Sequence, residues 1–204
     1  MRETASRRAS FVEHFASIVA ALTALSLLMF TAAAAEWNVA TLFERLAREP
    51  HAHARFHERK YLSLLTEPVD SSGELFFTPP DRLEKRTTSP KAETVTVEGT
   101  RVTLERGGRK QTLDLRQNPA VAVLIESIRE TLAGDLAALS REYSVQLEGD
   151  TSRWRLVLRP LDASLVSLVQ RIEIGGAEAQ VQAVEIFQAD GDRSVMTISA
   201  APVR

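Results

Sequence analysis

The sequence predicts an α+β fold, in which a curved antiparallel sheet of about ten short strands carries one N-terminal helix and one central helix. Three observations predict it. From Thr94 to Leu115, and again from Tyr143 to Ser199, apolar residues alternate with polar ones at period two, which gives an antiparallel sheet one dry and one wet face. Short glycine turns, Gly99-Thr100 and Gly107-Gly108 among them, punctuate the run. One stretch at helical spacing, Pro119 to Leu132, interrupts the strands and must fold back over a sheet face to bury its apolar stripe.

The first 35 of the 204 residues stand apart from this pattern. Arg2, Arg7 and Arg8 make a basic start, Phe15 to Phe30 is an uncharged apolar run of 16 residues, and Ala33-Ala34-Ala35 offers a small-x-small cleavage site before Glu36. That is the three-part form of a secretory signal. A membrane span wants about 20 apolar residues, and this run is shorter. Residues 36–204 are then expected to form one exported, soluble domain of 169 residues, long enough for a full core. They carry 22 basic and 25 acidic side chains, a balance that draws neither nucleic acid nor an anionic membrane surface. There is no cysteine, which excludes disulfides, thiol chemistry, Cys-bound metals and an acylated N-terminal cysteine.

In chain order, Glu36 to Arg48 reads as an amphipathic helix with Trp37, Ala40, Phe43 and Leu46 at helical spacing, stopped by Pro50. Arg55 to Leu65 is expected as a strand with a polar first half. Glu67-Pro68 and Asp70 to Gly73 are expected as a turn. Leu75 and Phe77 then point to one face of a strand and Phe76 to the other. Pro79-Pro80 removes two backbone donors and must end that strand before the next begins near Arg82. Val95 with Val97, Val102 with Leu104, and Leu113 with Leu115 alternate in three strands. Asn118 is expected as N-cap and Pro119 as first residue of the central helix. Ala133-Gly134-Asp135 breaks that helix, and Leu136 to Arg141 can add a turn. Tyr143, Val145 and Leu147, then Trp154, Leu156 and Leu158, resume the alternation. Leu161 to Val169 is a helical turn or an irregular apolar segment. Ile172 and Ile174 lead to an expected turn at Gly175-Gly176, followed by strands at Val181 to Phe187 and Ser194 to Ser199 around Asp190-Gly191-Asp192.

Little in the chain points to chemistry. His51-x-His53 with His57 share a strand face at acceptable metal spacing, but no further cluster closes a site, and a solvated strand entry is the plainer reading. Asp190-Gly191-Asp192 lacks the regular oxygen ligands of a calcium loop. Arg153, Arg155 and Arg159 form a charged row on a wet face. Nucleophile elbows, zinc-protease helices and phosphate loops are absent, and no pair of acids among Glu74, Asp81 and Glu84 stands out. No enzyme, metal or cofactor is expected. The sheet and its helices can either fill their interior or leave a cavity for an apolar ligand. Close packing being the norm, periodicity alone favours a filled core.

The order of short motifs resembles the LolA-like family of periplasmic lipoprotein carriers. These are Phe56-His57-Glu58, Gly73-Glu74-Leu75-Phe76-Phe77 with Pro80-Asp81-Arg82-Leu83-Glu84-Lys85, Val97-Glu98-Gly99, Leu132-Ala133-Gly134-Asp135, and Trp154 to Pro160. The resemblance runs along nearly all of residues 36–204. It implies an incomplete antiparallel barrel whose concave face, covered by a lid helix, takes up acyl chains of lipoproteins or other lipids. It also implies a periplasmic monomer that shuttles its cargo from an inner-membrane donor to an outer-membrane acceptor. The implied pocket wall is Leu75, Phe77, Val95, Val97, Trp154, Leu156 and Leu158 from the sheet, facing Val121, Leu124, Ile125 and Ile128 from the lid. Where better-known members carry a lid-tethering arginine, this chain has Pro79, so an acylated cargo other than lipoprotein is kept open. The alternative from another class is a lipid-responsive sensor or accessory module that docks on an envelope membrane protein.

Overall fold

Strand β1 (Ala52–Tyr61) is the spine of the structure, because it pairs antiparallel with β2 (Val69–Thr78) on one side and with the last strand, β11 (Arg193–Ala200), on the other. The computed structural model describes residues 36–48 and 52–201. The expected signal segment and His51 lie outside them. From β2 the chain meanders outward through β3 (Arg82–Ser89), β4 (Glu93–Glu98), β5 (Arg101–Arg106) and β6 (Arg109–Asp114), each strand pairing with its predecessor. It then crosses over as a 3-10 turn (Leu115–Gln117), helix α2 (Pro119–Ala133) and helix α3 (Leu136–Glu142). At the far edge it re-enters as β7 (Tyr143–Asp150) and returns through β8 (Arg153–Pro160), β9 (Val169–Ala177) and β10 (Gln180–Gln188) to β11. The result is one curved sheet of eleven antiparallel strands with β6 and β7 as its unjoined edges. The expected α+β class and incomplete barrel are what is observed.

Helix α1 (Val39–Leu46) precedes the sheet, and a single turn, α4 (Ala163–Val166), sits between β8 and β9. The side chain of Asn38 caps α1 by accepting from the Thr41 N–H at 3.0 Å. An eight-residue helix is marginal alone in water. Burial of Leu42, Phe43 and Leu46 settles the matter, at about 1.5–3 kcal/mol for each side chain withdrawn from water. Asp135 caps α3 through the Ala138 N–H, and Gly134 closes α2 in the left-handed region at φ 71°. A β-carbon on Gly134 would lie 2.5 Å from that of Ala47, so glycine also lets the end of α2 meet the end of α1.

Three local expectations are corrected. Asp70 to Gly73 is strand rather than turn, since all four residues find partners on β1, from Arg59 to Phe56. Gly175-Gly176 also lies within a strand, and the reversal comes later, with Glu178 at φ 52°. The glycine there serves packing instead: a β-carbon on Gly176 would lie 2.4 Å from the Trp154 ring, whose Nε1 donates to the Glu178 carbonyl. Asn118 holds the N-cap position of α2 but caps nothing, because its amide donates back to the Asp114 carbonyl at 2.8 Å.

The core is divided. A larger cluster joins α1 and α3 to the β7–β10 half of the sheet through Leu42, Phe43, Leu139, Trp154, Leu156 and Ile172. A smaller one joins the crossover to β4 and β5 through Leu115, Val97 and Val102. The middle of the sheet lies between them.

Candidate functional site

Neither cluster fills the middle of the concave face, where the structure holds a cavity of about 680 Å³. Its floor comes from β1 to β4 on one side of the spine and β9 to β11 on the other. Its cover comes from α2 and the end of α1. Period-two alternation explains the lining: Leu75 and Phe77 on β2 register with Lys85 and Leu83 on β3, which register in turn with Val95 and Val97 on β4, so all six point the same way.

The structure places Leu75, Phe77, Val95, Val97, Ile125 and Ile128 together on the cavity wall. The remaining expected wall residues lie elsewhere. Trp154, Leu156 and Leu158 are buried in the larger core cluster, because α1 and α3 fill the β8 side of the concave face. Leu124 packs against that same cluster, and Val121 is exposed on α2. Sequence reasoning missed Val184, Ile186, Met196 and Ile198, which line the wall from β10 and β11. Their alternation was visible. Only the pairing of β11 with β1 brings these late strands to the centre of the sheet.

One polar island interrupts the apolar floor. Glu58 is 5% exposed and sits among Lys85 Nζ at 2.5 Å, Ser194 Oγ at 2.7 Å, Ser71 Oγ at 3.3 Å and Lys60 Nζ at 3.8 Å. Burial acts to raise its pKa, but Lys85, Lys60 and the hydrogen bonds outweigh it and hold the carboxyl below its usual value. Glu58 is therefore ionised at neutral pH. The Lys85 ammonium also lies 4.7 Å from the centre of the Phe56 ring.

Hydrogen bonds tie the cover to the rest of the fold. Arg129 on α2 donates to the Gly99 carbonyl in the β4–β5 turn at 3.1 Å, and the buried Tyr143 hydroxyl donates to the Val123 carbonyl at 2.9 Å.

The other candidates face outward. His53 lies 3.3 Å from Glu74, and His57 3.4 Å from Asp70. Within the arginine row, Arg155 pairs with Glu148 and Glu173, and Arg159 donates to the Gln146 amide oxygen at 3.4 Å. Asp190 and Asp192 accept backbone N–H groups, from Asp192 and Ser63 respectively, as turn residues do. Among the described residues there is no group of three or more His, Cys, Asp or Glu placed to hold a metal, and no helix long and apolar enough to cross a membrane.

An open eleven-stranded antiparallel sheet with a covered apolar cavity is the class of structure that the geometry defines. Residues 31–203 match the family described as "Outer membrane lipoprotein carrier protein LolA-like", and the chain belongs to that family. No curated protein matches the sequence. Solved structures to which the chain is similar include a LolA superfamily protein from Nitrosomonas europaea, at 12% identity and TM-score 0.46, covering 83% of this chain and 94% of that one. The Mycobacterium tuberculosis lipoprotein LppX is similar at 11% identity and TM-score 0.43, with 81% and 97% covered. The Pseudomonas aeruginosa MucA/MucB complex contains a chain similar at 14% identity and TM-score 0.44, with 81% and 59% covered.

Proposed function

We infer that this protein is a non-enzymatic carrier that takes the acyl chain of a lipoprotein or other lipid into the cavity beneath α2 and shuttles it between the inner and outer membranes. The cavity carries this reading. The cavity has room for a guest, and its mostly aliphatic lining favours an apolar one over ordered water. Each CH₂ taken from water is worth about 0.8 kcal/mol, so an acyl chain can bind without any polar contact. Residues 1–35 act as a cleaved signal in this reading, placing a monomeric 36–204 domain in the periplasm.

Carriage also needs contact with a donor and an acceptor. Leu64 and Leu65 in the β1–β2 loop are 95% and 51% exposed, and Leu161 beside α4 is 60% exposed. Both loops lie at the same end of the sheet, where Ser63 binds Asp192 and Leu168 binds Ala189. That apolar rim is the surface that would meet the partner proteins. The same rim supports the second reading, an accessory module docked on an envelope membrane protein.

Mass spectrometry of protein purified from its own periplasm tests the choice. A carrier yields extractable acyl lipid in near-stoichiometric amount, and Ile125→Glu, which puts a charge in the cavity wall, loses it while the protein stays folded. A lipid-free preparation with one stoichiometric protein partner would favour the docked module.

A further inference from the structure

The polar island on the cavity floor has more cationic donors than its own carboxylate can use. Glu58 accepts from the Lys85 ammonium and from two hydroxyls, which answers most of the roughly four lone-pair positions of a carboxylate, and the Lys60 ammonium stands 3.8 Å away as a second cation. Lys85 is in the opposite condition. Its ammonium has three N–H groups, and among the described residues its contacts are Glu58 and the Phe56 ring. Its side chain is about a quarter exposed and lines the cavity, in register with Leu75 and Val95. With Lys60 beside it, the island has two positive charges against one negative. A structural ion pair would have no need of that surplus, and aliphatic side chains of similar volume would pack such a floor at least as well.

Resting on the reading of the cavity as an acyl site, we propose that Lys85 anchors the oxygen-bearing end of the acyl group. Its ammonium donates to the carbonyl or carboxylate oxygen, Glu58 holds it in place from behind, and the chain runs toward Phe77 and Val97 under α2. From Glu58 back to Ala52, β1 spans about 20 Å at ~3.3 Å per residue, which is room for an extended acyl chain. The island thus sets the direction of entry, with the head group at the Lys60 end, where the lysine is half exposed. It also selects acyl groups over plain hydrocarbon.

Fluorescent probes test this on residues 36–204 after lipid extraction: cis-parinaric acid, its methyl ester, and diphenylhexatriene, which has no oxygen. Two variants are compared with the parent. One is Lys85→Met, and the other is Lys85→Met with Glu58→Gln, which removes both charges so that no unpaired carboxylate is left to unfold the site. The expected result is a loss of roughly tenfold or more in affinity for the oxygenated probes, the scale of a charge-assisted hydrogen bond, with diphenylhexatriene unchanged. Loss confined to the free acid identifies a carboxylate as the anchored group, and loss for acid and ester together identifies the acyl carbonyl. If the double variant binds all three probes as the parent does, the anchor is overturned and the acyl cavity stands. If it loses all three alike, the island serves only structure, and the anchor is again overturned. If the parent binds none of them, the reading of the cavity itself fails.

Discussion

Glu130 shows how one side chain on the covering helix makes stability depend on pH. Its Oε2 is buried and has no hydrogen-bond partner among the described residues. Burial first, then the nearby charge of Glu126, raises its pKa from an ordinary 4.5 to about 7. Between those two values the folded state holds more protons than the unfolded state, so this group's contribution to stability falls as pH rises from about 4.5 through about 7. Glu130→Gln is expected to flatten that part of the melting curve and to melt above the parent at pH 8. Parallel Tm profiles for parent and variant would assign the slope to another group. Trp154 and Gly176 make the complementary point about packing. The indole occupies the space a side chain at 176 would need, so a pair of glycines that looks like a turn is in fact a strand with a hole in it.

At the scale of elements, α2 is the part whose attachment matters. Its Ile125 and Ile128 cover the cavity, its Ser127 and Thr131 are buried and answered by the carbonyls of Leu124 and Ser127, and Arg129 and the Val123 carbonyl bond to groups outside the helix. Arg129→Met keeps the aliphatic packing and removes the bond to Gly99. For a half-buried charged donor that loss is about 1 kcal/mol, which is roughly a fivefold change in opening. Hydrogen exchange should therefore quicken about fivefold in α2 and stay unchanged in β8 and β9, whose side chains belong to the other cluster. Equal acceleration in both would mean that α2 does not open as a unit.

For the molecule as a whole, dividing the core leaves the middle of the sheet for a guest. Two packed clusters, one under α1 and α3 and one under the crossover, brace the two halves and spare the centre from collapse. Lipid extraction is then expected to lower Tm, and adding cis-parinaric acid at about 100 times its Kd to raise it by about 5–10 °C, since binding to the folded state alone contributes about 2.7 kcal/mol at that excess. A Tm indifferent to extraction and add-back would show that no guest contributes to stability. The α+β class, the alternation of most strands, the central helix and its Gly134 end were all legible, because each rests on local periodicity or a local backbone requirement. Six of the eleven expected wall residues do meet at the cavity, those nearest the β2–β4 meander and on one stripe of α2.

The remaining five did not, for a reason the chain could not show locally. Alternation tells which side of a strand is dry, and on that count Leu156 and Leu158 are as good as Val95 and Val97. What separates them is which helix lies over which strands, and that depends on β11 closing against β1 and on α1 reaching the β7–β10 half. The Glu58–Lys85 pair was hidden in the same way, since 27 positions of sequence separate two residues that only the β1–β2–β3 register brings onto one floor. By itself, then, the amino-acid sequence determined a one-faced antiparallel sheet with a helix to cover it. Tertiary structure alone decided that the cover leaves a cavity at the sheet's centre and that a cation stands inside it, because both follow from contacts between strands and helices far apart in the chain.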